Sequence, residues 1–245
     1  MTFHHVNILS IQVGKPASVN SPPLNDQSGE RIWTTGFLKK PIDGPVHMRR
    51  LNFDGDGQAD GKHHGGPDKA VCVYSHDHYA FWKNEYNVDF PLGAFGENLT
   101  LTGLTESDVC VGDVWEMGTA KTEVSQPRQP CWKLSRWWNI NDLAVRVQQT
   151  GKTGWYLRVL AEGTVEAGTP IRLIDRPHPD WSIAAANTLM HVKKDDLLSA
   201  GRLLRIPALS ESWRQTLLRR THKQAQPSFE QRLFGTATPT DTTGL

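Results

Sequence analysis

The chain has 245 residues, 38% hydrophobic and 22% charged, with a formal net charge of +1. This is enough apolar material for one large or two modest domains and excludes a disordered or fibrous chain, and the near-neutral charge offers no global attraction for nucleic acid or an anionic membrane. Three cysteines exclude a disulfide framework and point to a reducing compartment, no apolar run approaches the roughly 18 residues of a membrane span, and no basic stretch precedes an apolar one at the start, so a cytoplasmic protein without a membrane segment is expected.

With 21 Gly and 15 Pro, turns are frequent and short strands are favoured over long helices. In chain order, strands are predicted at Val6–Val13, Arg31–Lys39 and Val46–Phe53, each stopped by Gly, Pro or Asp, and at Ala70–Tyr74, a short apolar run read as a buried strand. His76–Tyr86 reads as a helix with Tyr79, Phe81, Trp82 and Tyr86 on one broad face. Strands follow at Asn98–Leu101, Val109–Met117 and Lys121–Gln126, with a bend marked by Gly112 and Asp113, and Asn141–Gln149 reads as a second helix. Trp155–Leu160 and Pro170–Ile174, flanking Glu166-Ala-Gly168, are predicted to form a hairpin. Residues 1–175 therefore read as a mainly β, antiparallel barrel-like domain.

Arg176-Pro-His-Pro179 reads as a linker. Beyond it lie three helix patterns, Ser182–His191, Asp195–Arg205 and Ser210–His222, giving a small three-helix domain over residues 180–235 and a disordered tail over 236–245. The charge divides at the same place. Residues 1–175 hold 17 Lys and Arg against 20 Asp and Glu, or −3, and residues 176–245 hold 10 against 6, or +4.

Three segments carry candidate chemistry. In Gly61-Lys-His-His-Gly-Gly-Pro-Asp-Lys69, Gly65 and Gly66 let backbone N–H groups form an anion-binding concavity, to which Lys62, His63, His64 and Lys69 add cationic or hydrogen-bonding groups. The same residues read equally as a polar turn between strands, and adjacent histidines diverge, which disfavours a histidine metal site. In Gly93-Ala-Phe-Gly-Glu-Asn-Leu99, Asn98 both donates and accepts, which suits a heterocycle edge, or else it tolerates a turn conformation. In Ser125-Gln-Pro-Arg-Gln-Pro-Cys131-Trp-Lys133, Cys131 has Arg128 and Lys133 beside it, neighbours that favour a thiolate, the form that acts as nucleophile and metal ligand. Cys72 and Cys110 lie in apolar runs and read as small core side chains. Lys39, at a strand end, is either solvated or within reach of a phosphate at the sheet mouth. No Walker loop, dinucleotide fingerprint, nucleophile elbow, HExxH or nucleic-acid signature is present.

In this order and spacing, GKHHGGPDKAV, GAFGENLTLTGLTE and QPRQPCWKL resemble the MOSC family, the domain named for the C-terminus of the molybdenum cofactor sulfurase, and more closely its YiiM-like branch. The resemblance covers about residues 5–235. It implies a mostly antiparallel β-barrel that binds the molybdenum cofactor, a molybdenum held by a pterin, with Cys131 as the catalytic residue and thiolate ligand of the metal. Lys39, Lys62, His63, His64 and Arg128 become candidates for the pterin phosphate or oxygens, Gly65 and Gly66 for the cradle, and Asn98 for the pterin edge. The implied activity is reduction of N-hydroxylated compounds, such as hydroxylamino-purines and amidoximes, with electrons from a separate flavoprotein or iron–sulfur protein, because this chain has neither a flavin fingerprint nor an iron–sulfur cysteine set. A carrier or sulfur-relay module using Cys131 would need the same electropositive cysteine. An interaction protein docking through its basic tail is a third reading, set against a merely solvated cationic face.

Overall fold

The structure is a computed structural model of the chain and describes residues 6–20, 32–61, 63–223 and 229–235. Lys62 and the expected tail over 236–245 lie outside the described residues. The twelve strands described are β1 (Asn7–Val13), β2 (Ala17–Asn20), β3 (Ile32–Thr35), β4 (Lys40–Pro41), β5 (Val46–Met48), β6 (Val71–Ser75), β7 (Leu99–Thr102), β8 (Val114–Met117), β9 (Ala120–Pro127), β10 (Trp155–Ala161), β11 (Gly163–Val165) and β12 (Ile171–Asp175). The helices are α1 (Tyr79–Tyr86), α2 (Trp132–Trp138), α3 (Leu143–Thr150), α4 (Ile183–His191), α5 (Leu197–Leu203), α6 (Glu211–Thr221) and α7 (Glu230–Phe234).

Eight strands form one curled sheet in the order β12-β8-β9-β10-β6-β7-β1-β4, with β11–β5 and β2–β3 as small antiparallel ribbons. The sheet almost closes on itself. Asn7 bridges Pro170, Ile8 N–H donates to Thr169 O at 3.1 Å, and Gly168 N–H donates to Ile8 O at 2.7 Å. These bonds occupy edge groups that an open sheet would leave exposed. The mostly β, barrel-like class expected from the sequence is the one observed. One ladder, β6 with β7, is parallel in an otherwise antiparallel sheet. All five residues of β6 are buried, as befits a strand covered on both faces.

The predicted hairpin between Trp155–Leu160 and Pro170–Ile174 does not form. β10 pairs with β6 and β9, whereas β12 pairs with β8. Between them β11 leaves to pair with β5, so the turn at Glu166–Thr169 reverses the chain toward β1 instead of back along β10. Three strand expectations shorten for a local reason. Arg31 lies outside the described residues, and the Arg31–Lys39 strand ends at Thr35, whose hydroxyl accepts Phe37 N–H at 3.0 Å. Arg49 N–H bonds Asn52 O, breaking Val46–Phe53 with a turn, and the Asp113 carboxylate caps Cys110 N–H in a turn through Gly112, delaying β8 until Val114.

Two apolar clusters hold the molecule. The larger lines the barrel with Ile8, Val71, Leu99, Trp115 and Trp155, and continues without interruption into Ile183, Leu189, Leu203, Trp213 and Leu217 of the C-terminal helices. The smaller packs Tyr74, Trp82, Phe95, Leu134, Leu143 and Val147, joining the outer face of β6 to α1, α2 and α3. The three C-terminal helices expected from the sequence form, and each is capped by a side-chain oxygen. Ser182, Asp196 and Ser210 accept from Ala185, Ser199 and Trp213 N–H respectively. The proline-rich segment ahead of them is pinned, because Arg176 makes a two-point contact with the buried Asp113 carboxylate at 2.8 and 2.6 Å.

Gly154 is where chain geometry tolerates no side chain. It has φ +73°, its N–H donates to Glu106 Oε1 at 2.7 Å, its carbonyl receives Arg128 N–H at 3.0 Å, and a Cβ there would collide with Val73 O. Gly168 has a similar φ of +85° but open space around it. Gly154→Ala is expected to cost about 2–4 kcal/mol and Gly168→Ala about 1 kcal/mol. Urea midpoints of the two variants, at unchanged m, measure the difference due to the collision alone.

Candidate functional site

The mouth of the barrel beside β6, β9 and β10 opens into a cavity of about 90 Å³. Lys39, His64, Asn98, Arg128 and Cys131 all line it, so five of the nine residues singled out in the sequence converge. His63 lines instead a wider groove of about 1000 Å³ that shares His64, Lys69, Cys131 and Tyr156 with the cavity. Gly65 and Gly66 line neither; Gly66, at φ +91°, makes the turn that opens a 3₁₀ turn over Pro67–Lys69. Among the described residues no group of three His, Cys, Asp or Glu side chains is placed to hold a metal ion.

Arg128 is the centre of this arrangement. It is 6% exposed, and its main chain is fixed to Gly154. Its Nη2 donates to Phe95 O at 2.6 Å, but its buried Nη1 has no partner among the described residues. A buried guanidinium with an unmet donor is costly by itself. The loop that supplies Phe95 O is held by the fully buried Glu97, whose carboxylate accepts from Gly93 N–H, Phe95 N–H, Tyr79 Oη and Thr100 Oγ1 at 2.6 to 3.1 Å.

Cys131 is half-buried and stands at the start of α2 with extended backbone, φ −129° and ψ 165°, its sulfur making no capping bond. No element is expected from the sequence over residues 131–138, so α2 is missed there. WKLSRWW is rich in aromatics that favour strands, but Pro130 and the extended Cys131 are a helix-entry signal that outweighs them.

Asn98 spends both of its N–H donors inward. Its Oδ1 accepts Cys72 N–H at 3.1 Å, and its Nδ2 donates to Gln12 O and to Asp56 Oδ2 at 3.2 and 2.9 Å. It therefore staples β6 to β1 rather than offering a free edge to the cavity. Asp56 in turn pairs with Lys39 and accepts Gly14 N–H. Lys39 is thus neither solvated nor uncompensated.

Lys69, named with the 61–69 segment, also lines the cavity, whereas Cys72 and Tyr156 were not singled out as site residues. Cys72, read as a core side chain, is 6% exposed yet reaches the cavity, and burial pushes its thiol pKa up to about 11. Tyr156 shares the wall, its hydroxyl raised first by burial and then by Cys72. Lys69 is lowered by burial, and its Nζ donates to His63 O at 2.7 Å. Gly55-Asp56-Gly57 could have signalled Asp56 as an ordered turn; nothing local distinguishes Tyr156 from a core aromatic.

Burial, then the charges of Lys69 and Lys133, pushes His64 down to about 4. Burial, then Arg232, Lys194 and Arg220, pushes His191 on the groove's far wall down to about 3. Both lie below the unfolded value near 6.5, so below that pH the unfolded chain binds more protons. The stability these two groups contribute is complete above about pH 6.5 and is lost as pH falls toward 4. Replacing both by Gln should remove about 1–2 kcal/mol per histidine of the loss between pH 7 and 4.5, read from urea melts. Equal acid sensitivity in the variant and the parent would refute the assignment.

Residues 60–172 match the MOSC domain family and residues 181–224 match the YiiM-like, 3-alpha helix domain family. The protein YflK of Bacillus subtilis is 44% identical over 220 residues, spanning 90% of this chain and 96% of that one. The crystal structure of YiiM from Geobacillus stearothermophilus covers 88% of this chain and 99% of its own at 40% identity, with a TM-score of 0.74. A protein named Reductase from Gibberella moniliformis is 34% identical over 178 residues, 71% of this chain and 32% of its own length. By these matches the chain belongs to the MOSC-domain family, in its YiiM-like branch.

Proposed function

We propose that the chain is a molybdenum-cofactor-dependent reductase of N-hydroxylated compounds, hydroxylamino-purines or amidoximes, receiving electrons from a separate flavoprotein or iron–sulfur protein. The observation that carries this reading is the buried Arg128, with an unmet donor, in the same cavity as the half-buried Cys131. The residues present fit the group. A soft thiolate suits molybdenum, and the unmet Nη1 of Arg128 suits a phosphate or pterin oxygen. The name of the reductase relative agrees with the class of reaction. Bound there, the cofactor would supply a two-electron centre able to take an oxygen atom from substrate.

The chain's own groups then divide the work. Cys131 would hold the metal, and Arg128 the anionic end of the pterin. Asn98 and Glu97 act earlier, by fixing the two loops that form the walls. The balanced reaction is R–NHOH + 2 H⁺ + 2 e⁻ → R–NH₂ + H₂O. Neutral His64 cannot supply a proton near pH 7, whereas Lys69, made more acidic by burial, can hand one to the departing oxygen.

Protein made in a cofactor-competent host, assayed with electron donor in excess, tests the proposal. Stoichiometric molybdenum and turnover of a hydroxylamino-purine are expected. Cys131→Ala should lower turnover by at least about 100-fold with an unchanged thermal melt, and Arg128→Gln should lower molybdenum occupancy. Near-normal turnover in Cys131→Ala would overturn the ligand assignment. Bound molybdenum with no turnover would instead favour the carrier reading.

A further inference from the structure

We infer that the wide outer groove is a phosphate subsite, and that the substrates best suited to this chain are N-hydroxylated purine nucleotides rather than free bases. The inference rests on the reductase reading for the reacting end of the substrate and on separate residues for the other end. The groove is continuous with the inner cavity through Cys131 and Tyr156. Its far wall is formed by the C-terminal helices, which bring His191, Lys194, Arg220 and Arg232 together.

Among the described residues none of Lys194, Arg220 and Arg232 has a carboxylate at ion-pair distance. The two guanidinium groups are nevertheless held in place. Arg220 donates from Nη1 to Leu189 O and from Nη2 to Met190 O, both at 2.9 Å, and Arg232 donates to Pro130 O and to Gln148 Oε1. Carbonyl and amide oxygens orient such forks without neutralising them, and each guanidinium keeps further N–H donors. Beside them the Nε2 of His191 is buried with no hydrogen-bond partner.

The carboxylates in the groove do not cancel this charge. Asp60 is engaged with His63, and Asp195 acts on Arg220 from beyond ion-pair distance. Gathering like charges is unfavourable unless an anion completes the set. A free purine or an amidoxime has no anion to offer. A nucleoside phosphate has one, separated by its sugar from the N–O bond to be reduced. The donors line a recess, which a phosphate enters more readily than the convex face of a protein.

Calorimetry on cofactor-loaded protein compares adenosine 5′-monophosphate with adenosine. The monophosphate should bind at least about tenfold more tightly, and Lys194→Gln and Arg220→Lys should each remove most of that preference. In turnover, the kcat/KM ratio of N6-hydroxyadenosine monophosphate to its free nucleoside should fall by about the same factor in these variants. Equal affinity for the two ligands overturns the inference, and so does a preference that survives in both variants. Monophosphate binding that is present without cofactor and abolished by loading assigns the groove to the cofactor's own phosphate, which also overturns it. A protein that discriminates the monophosphate but holds no molybdenum leaves the phosphate subsite standing and removes the reductase reading, and with it the N-hydroxylated end of the substrate.

Discussion

The positive charge buried on Arg128 governs the arrangement around it. A guanidinium at 6% exposure survives in a barrel mouth only if acceptors are built for it, and the chain supplies them through backbone rather than through a carboxylate. Phe95 O receives Nη2, and Gly154 O receives the main-chain N–H. Each acceptor has its own buried acid behind it. Glu97 ties down the loop that carries Phe95, and Glu106, paired with His78 at 2.6 Å, holds Gly154 N–H. The acids order the loops and leave the cation's charge unneutralised. A direct carboxylate partner would have satisfied Arg128 and closed the site to any other anion.

The same division recurs across the mouth with the opposite outcome. Lys39 is paired directly with Asp56, and Asp56 also takes Asn98 Nδ2 and Gly14 N–H. That corner is satisfied and mainly structural, joining the turn at Gly55–Gly57 to β1 and β6. Cation number alone therefore does not locate the site. What separates Arg128, Arg220 and Arg232 from Lys39 is the acceptor each one has, neutral oxygens in the first three and a carboxylate in the last.

Much of this architecture was legible in the sequence where local chemistry decides. The starts of α4 and α6 fall beside Ser182 and Ser210, where the sequence put them, because a side-chain oxygen at that place meets N–H groups the helix leaves open, whereas α5 is capped by Asp196 and not by the Asp195 at which it was expected to begin. The buried run of β6 follows from AVCVY, and Cys131 stood out by its cationic neighbours. What was hidden depends on distant pairing. β10 and β12 look like a hairpin because a turn lies between them, and only the register of β11 with β5 sends them apart. The parallel pairing of β6 with β7 has no local signature either, since α1 and its flanking loops simply allow the crossover. Asn98 was judged by what its amide can bind, but three internal partners, supplied by β1, β6 and the Asp56 turn, had already used it. Cys72 was judged by its apolar neighbours, whereas the cavity reaches its strand from the other side.

The C-terminal helices are part of the same reasoning. Their apolar side chains belong to the barrel's own core cluster, so they are not tethered loosely beside it. Arg158 on β10 fixes the junction. It contacts Asp68 and Glu123 at 2.6 and 2.5 Å and donates to Ala208 O, while Asp68 Oδ2 accepts Glu211 N–H at the start of α6. Asp68 lies four residues after His64, and Ser125, whose hydroxyl donates to Asp68 O, lies three before Arg128. One polar knot therefore sets the position of both site loops relative to the helices that wall the outer groove. The +4 charge of residues 176–245 is, on this view, divided in function. Arg176 and Arg214 face acceptors that anchor helices and loops, whereas Lys194, Arg220 and Arg232 are carried by those anchored elements to the rim of the cavity that holds Cys131.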